Sequence, residues 1–121
     1  MSESHTLGQK GENLAAEHLK KAGYKILHQN WRSGKHEIDI IAENKDFIVF
    51  VEVKTRTEDY QMPPVSAVTN EKQRSIIYVA DGYLKRYNIN KETRFDVITI
   101  ISKGEKSEIV HIEDAYYPTL R

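Results

Sequence analysis

The chain has no cysteine, which excludes disulfides, thiolate metal sites and cysteine nucleophiles. It has only three prolines, and two of them, Pro63 and Pro64, stand together and mark a loop over "DYQMPPVSAV". No apolar run approaches the ~20 residues needed to cross a bilayer. The N-terminal "MSESHTLGQKGE" carries no signal-peptide apolar core, so a cytoplasmic protein without membrane contact is expected. An excess of one charge is also missing, with 18 basic and 18 acidic residues. Non-specific affinity for nucleic acid comes mostly from basic groups on phosphates, so any such binding must rest on a local basic face.

What is present suits one domain over residues 1–121, with a core over 7–101 and a C-terminal extension over 102–121. Of the 121 residues, 39% are hydrophobic and 30% charged, a soluble composition with one small core. Thr6 and Gln9 have capping-box spacing and Gly23 is a helix stop, so a first helix lies between them. Leu7, Leu14, Ala15, His18, Leu19 and Ala22 share its apolar arc, with Glu12 at the margin. "YKILHQNWR" reads as a strand ending in a turn at Ser33-Gly34. "EIDIIAE" and "FIVFVEVK" form a β-hairpin around "ENKD". Asn70 with Gln73 suggests a second helix start, and Ile76, Ile77, Ala80, Leu84 and Tyr87 continue its apolar face. "RFDVITII" is a further strand, and "EIVHIEDAYY" adds a short strand or edge segment. The order α-β-β-β-α-β predicts an α/β fold, a mixed sheet with helices against it.

Strand alternation puts Glu37, Asp39 and Ile41 on one face, and Ile48, Phe50, Glu52 and Lys54 on one face of the next strand. An even hairpin loop predicts pairing of Asp39 with Phe50. Asp39 and Glu52 are then diagonal neighbours roughly 7–8 Å apart, with Glu37 opposite Glu52; a bulge would alter this pairing. Converging carboxylates repel one another unless a proton or cation joins them. Hard oxygen donors suit Mg²⁺ or Mn²⁺, and such an ion can activate water against a phosphodiester. Lys54 beside Glu52 could then stabilise the charge developing on phosphate.

"GQKGENLAAEHLKKAGYKIL", "HEIDIIAE", "FVEVKTR" and "RFDVI" together resemble the YraN-like family of small bacterial proteins, over about Gly8 to Ile100. That family is similar to the PD-(D/E)XK, or restriction-endonuclease-like, nucleases, with an α-β-β-β-α-β core. The resemblance implies that Asp39 is the first motif carboxylate and that Glu52 and Lys54 form the E-x-K element. It implies Glu12 as the helix acid seen in the branch of archaeal Holliday-junction resolvases, and the Val53 backbone carbonyl as an extra metal ligand. The chain departs from the family in having His36 where Gly commonly precedes E-I-D, which bears on the turn there.

Each residue also has a plainer reading. Charges commonly end strands, and Glu12 alone could simply reach water. Glu37 divides between supporting the site and pairing with Lys35 or Arg56. Arg56, Lys72 and Arg74 divide between phosphate contact and solvated surface, and Gln73 reads first as a helix cap. His18 is expected to pack, and Asp96 to pair with Arg94. Trp31, Tyr78, Tyr83 and Tyr87 read as core or interface rather than base-stacking platforms. The expected function is a Mg²⁺- or Mn²⁺-dependent endonuclease-like protein acting on DNA, branched or structured forms included. A homodimer would be needed to cut two strands. The alternative is a non-catalytic nucleic-acid-binding or protein-interaction module on a nuclease fold. The plainest reading is an interaction protein whose carboxylates merely pair with Lys and Arg.

Overall fold

The computed structural model describes residues 6–57 and 68–116, with side chains from Lys10 onward. The Thr6–Gln9 cap and the Pro63-Pro64 loop lie outside what is described. The elements run α1 (Thr6–Lys21), β1 (Lys25–Ser33), β2 (His36–Glu43), β3 (Phe47–Thr57), α2 (Asn70–Arg86), β4 (Glu92–Lys103) and β5 (Lys106–Ile112). This is the expected order, with the tail adding β5. One sheet holds the strands in the order β1-β2-β3-β4-β5. β3 and β4 run parallel and the other neighbours antiparallel. The parallel step needs a crossover, and α2 lies within it. The fold is an α/β mixed sheet between two helices, consistent with a restriction-endonuclease-like core.

α1 ends in a Schellman arrangement. Gly23 takes φ 97°, its N–H reaches the Lys20 carbonyl at 3.0 Å, and the Tyr24 N–H reaches the Leu19 carbonyl at 2.9 Å. A side chain at Gly23 would oppose that left-handed backbone. Ala15, Ala16 and Leu19 of α1 bury against Ile40, Ala42, Val49, Val51, Ile98 and Ile100, while Ala22 is exposed. The closest approach is at Gly11, where an added Cβ would run into Thr55 Oγ1 of β3. α2 covers the opposite face, packing Ile76, Val79, Ala80 and Tyr83 over Ile41, Ile48, Phe50, Phe95 and Val97. β3 is therefore covered on both sides, which is why "IVFV" is apolar without alternation.

Two local readings change. α2 is capped by Thr69, not Asn70: the Thr69 hydroxyl accepts the Lys72 N–H at 3.1 Å. The β1–β2 turn lies at Gly34-Lys35, since Ser33 still pairs with His36. Gly34 takes the positive φ of 61°, so His36 at the family's glycine position meets no backbone conflict.

Under α1, a buried polar cluster joins β4 to β5. Arg94 donates to Asp96 at 3.0 and 2.9 Å and also to the Tyr24 hydroxyl. The pairing of Arg94 with Asp96 follows from their i, i+2 spacing on one strand face. His111 Nε2 lies 2.7 Å from Asp96, and His18 Nε2 lies 3.0 Å from His111 Nδ1. Burial alone would push the Asp96 carboxyl up. Hydrogen bonds from His111, Arg94 and the Asp114 N–H reverse this and hold it below its usual range.

Candidate active site

The hairpin loop is even, as expected, but its register differs. Ile41, not Asp39, pairs with Phe50, and the regular ladder ends at Ile40–Val51. The cause is Asn44, whose side-chain oxygen accepts the Asp46 and Phe47 N–H groups at 3.0 and 2.8 Å. The Asn44 N–H also donates to the Phe47 carbonyl at 3.0 Å. Asn44 thereby joins the ladder and leaves Lys45-Asp46 as the turn. A shift by two keeps side-chain parity, but continuing it one rung sets Asp39 directly across from Glu52. Glu37 is carried past Glu52 and pairs instead with Arg32, at 3.8 Å.

At Asp39 the sheet is irregular. Gln29–Ile40 and Trp31–Ile38 are paired, whereas the intervening Asn30 and Asp39 are not. Asn30 adopts φ 57°, a conformation asparagine tolerates better than most residues. Alternation breaks there. Ile38 packs into the α2-side core, while Ile40 packs into the α1-side core. Asp39, between them, turns toward β3, and its Oδ2 accepts the Val53 N–H at 2.8 Å. That N–H would otherwise belong to the next backbone rung. An extended residue directs its N–H and C=O to one edge, so the Val53 carbonyl faces the same gap. Burial pushes the Asp39 carboxyl up to about 7, with Glu52 and then Glu12 adding to the rise; the Val53 N–H and Lys72 oppose it.

Glu52 is 4% exposed. Its Oε2 lies 3.3 Å from Lys54 Nζ and 3.7 Å from Lys72 Nζ. Its other oxygen is buried without a hydrogen-bond partner among the described residues, as are Thr99 Oγ1 and the Tyr116 hydroxyl. Thr99 is the β4 partner of Lys54. Tyr116 stacks on Phe95 with centroids 5.4 Å apart; burial, then the charges of Glu52 and Asp96, push its phenol up. No sequence motif marks Thr99 or Tyr116. Strand parity with Val97 was the available signal for Thr99, whereas the irregular tail offered none for Tyr116.

Glu12 arrives from the other side, since α1 covers the opposite sheet face. Burial raises its carboxyl, Asn30 lowers it through a side-chain hydrogen bond, and Glu37 and Glu52 raise it further. Its Oε1 is buried without a partner among the described residues. The other sequence candidates lie around the site. Lys72 meets Glu52 as above, and the Gln73 side chain donates to the Val68 carbonyl at 3.1 Å, bracing the start of α2. Arg56 donates to the Thr55 carbonyl at 2.9 Å.

Among the described residues, no three His, Cys, Asp or Glu side chains form a group able to hold a metal. A cage built from Glu12, Asp39 and Glu52 is therefore not what this geometry offers. A hydrated Mg²⁺ needs less: it keeps several waters and takes one or two carboxylates. Asp39 and Glu52 supply two carboxylates of that kind, and one Glu52 oxygen is buried without a partner among the described residues.

A model of uncharacterised protein family UPF0102 matches residues 11–100. A UPF0102 protein of Parabacteroides distasonis is 43% identical over 121 residues, covering all of both chains. One from Bacteroides fragilis is 42% identical, covering 99% of each chain. One from Geobacter metallireducens is 46% identical, covering 92% of each. Among solved structures, SfsA of Pyrococcus furiosus, in complex with Ca²⁺, aligns with a TM-score of 0.34 and 13% identity. The alignment covers 91% of this chain and 63% of that one. At that distance the likeness carries no argument for the site. Family match and close relatives agree over nearly the whole chain, and the protein belongs to the UPF0102 family, the YraN-like family its motifs resemble.

Proposed function

We propose that the protein is a metal-dependent phosphodiester hydrolase acting on nucleic acid, DNA first, with Asp39 and Glu52 holding Mg²⁺ or Mn²⁺. The observation that carries this reading is the seating of Asp39. A carboxyl raised to about 7 sits at a break in the sheet, beside a second buried carboxylate with an unpartnered oxygen. Such a pair is poised to exchange a proton for a cation. The Val53 carbonyl would complete the protein's share, with Glu12 acting through the field it adds. When bound, the ion lowers the pKa of water and offsets charge on phosphate oxygens.

The protein's own groups do the rest. Lys54 and Lys72 reach Glu52 from two elements, so a phosphate entering beside Glu52 meets two ammonium groups preset by β3 and α2. Arg56, two residues beyond Lys54 on β3, would meet an adjoining phosphate. One chain offers one such site, so cutting both strands of a duplex takes a dimer.

A second reading is favoured by one observation: Glu52 already has two ammonium neighbours, as in a binding module that keeps the fold without the reaction. Incubation with single-stranded, duplex and branched DNA and RNA in Mn²⁺ separates the two. The hydrolase reading expects cleavage by wild type that Asp39→Ala and Lys54→Ala both lose. Equal cleavage by all three proteins would mark a contaminant and remove it.

A further inference from the structure

Among the described residues, the exposed large hydrophobic side chains are Tyr78, 72% exposed, and Tyr87, 43% exposed. Both belong to α2 or its C-terminal cap, and both stand beside one groove. The groove lies between the end of β1 and α2 and encloses about 430 Å³. Trp31 forms its floor, edge-on to the buried Tyr83 at 5.1 Å. The Arg86 guanidinium lies 5.5 Å from the Trp31 ring and 5.4 Å from the Tyr87 ring. Of the two expected places for these aromatics, core or interface, Tyr83 takes the core, while the exposure of Tyr78 and Tyr87 leaves them at the surface.

Charge narrows the occupant. The described lining residues include Arg32, Lys85 and Arg86 against Asp81 as the one acid; Asp81 is paired to Lys85 at 2.9 Å and Arg32 lies 3.8 Å from Glu37, so Arg86 carries most of the excess positive charge. In a chain with net charge zero, this is a local basic surface of the kind phosphate binding requires. Rings interleaved with guanidinium groups suit bases and phosphates in alternation. A duplex keeps its base faces stacked away, so only an unpaired strand can present them to Tyr78 and Trp31.

The groove and the candidate site share two structural supports, the β1–β2 pair and α2. Trp31 pairs across the sheet with Ile38, the residue before Asp39. α2 carries Lys72, beside Glu52, in its first turn, with Tyr78 ~9 Å and Arg86 ~21 Å further along its axis, at 1.5 Å per residue.

We propose that this groove binds the bases of a single-stranded nucleic acid segment whose backbone continues to Lys72 and Glu52. The inference rests on the nucleic-acid reading above and gives it a substrate class: strands with an unpaired segment beside the scissile phosphate. It does not depend on metal or cleavage, so the two can fail separately.

Trp31 is the one tryptophan of the chain, and its emission reports on the groove directly. The protein is titrated in EDTA with short oligothymidylate, oligouridylate and a blunt duplex, following Trp31 fluorescence. Saturable quenching is expected with one or both single strands, weaker binding with the duplex, and loss of affinity as salt rises. Tyr78→Ser, at an exposed position that folding does not need, and Arg86→Ser should each weaken single-strand binding at least about fivefold. Comparison of the two oligonucleotides identifies which nucleic acid is preferred. Absence of quenching, equal affinity for the duplex, or unchanged affinity in both variants would overturn the proposal, and the groove would then belong to a protein partner. Quenching without any Mn²⁺-dependent cleavage upholds the groove and removes the hydrolase reading.

Discussion

The Val53 N–H donates to the Asp39 carboxylate at 2.8 Å, just beyond the last regular rung between β2 and β3. A side chain thus takes the place of a backbone carbonyl, and the strands separate around it. The candidate site lies where the sheet stops pairing.

Asp39 is ionised at a cost. Its carboxyl is raised from 3.8 to about 7, worth up to about 4 kcal/mol for full ionisation in the fold. The folded state binds the proton more tightly than the unfolded state, so this group's contribution to stability falls as pH rises from about 4 to 7. Asp39→Asn keeps an oxygen for the Val53 N–H and removes the charge. Denaturant unfolding without metal should show Asp39→Asn more stable than wild type by about 1–3 kcal/mol at pH 8, the gain vanishing near pH 4.

Lys54 shares Glu52 with any cation that binds there, because its Nζ lies 3.3 Å from Oε2. Removing it should separate binding from chemistry. Lys54→Met is expected to bind Mn²⁺ as tightly as wild type or more tightly, while cleavage falls on the order of 100-fold. Parallel titration and single-turnover assays check both halves.

Gly11 sets how closely α1 lies on β3. Gly11→Ala drives a methyl into Thr55 Oγ1 and should cost about 1–3 kcal/mol. In a Thr55→Ala background most of that loss should disappear, a coupling that a double-mutant cycle measures.

The buried cluster beneath α1 makes the fold sensitive to acid. Burial, then His111, holds His18 below its ordinary range. The unfolded chain therefore takes up this proton first, and stability is lost as pH falls through 6.5. His18→Gln should flatten thermal stability between pH 7 and pH 5. Asp96→Ala removes the buried carboxylate from Arg94, leaving it the Tyr24 hydroxyl and the more exposed Glu113, and should cost about 3–5 kcal/mol.

The site was legible in the sequence as far as pattern reaches. The even loop put Asp39 near Glu52, though in a register two residues away from the observed one, and the i, i+2 spacing of Arg94 and Asp96 predicted their pair. What was hidden lies in side chains that act on backbone. Asn44 caps its own turn and moves the register by one rung pair, which exchanged Glu37 for Asp39 opposite Glu52. Asn30 takes a left-handed backbone, and alternation breaks at Asp39, a change that hydrophobic pattern does not encode. Tyr87 continues the apolar period of α2 yet is 43% exposed, and Tyr78, off that period, is 72% exposed, a surface placement that periodicity does not distinguish from core.

Mn²⁺ titration calorimetry across pH tests the metal site most directly. The account predicts one ion per chain, affinity rising as pH passes through about 7 and Asp39 gives up its proton, and loss of binding in both Asp39→Asn and Glu52→Gln. No binding at any pH, or equal binding by wild type and both variants, would contradict it.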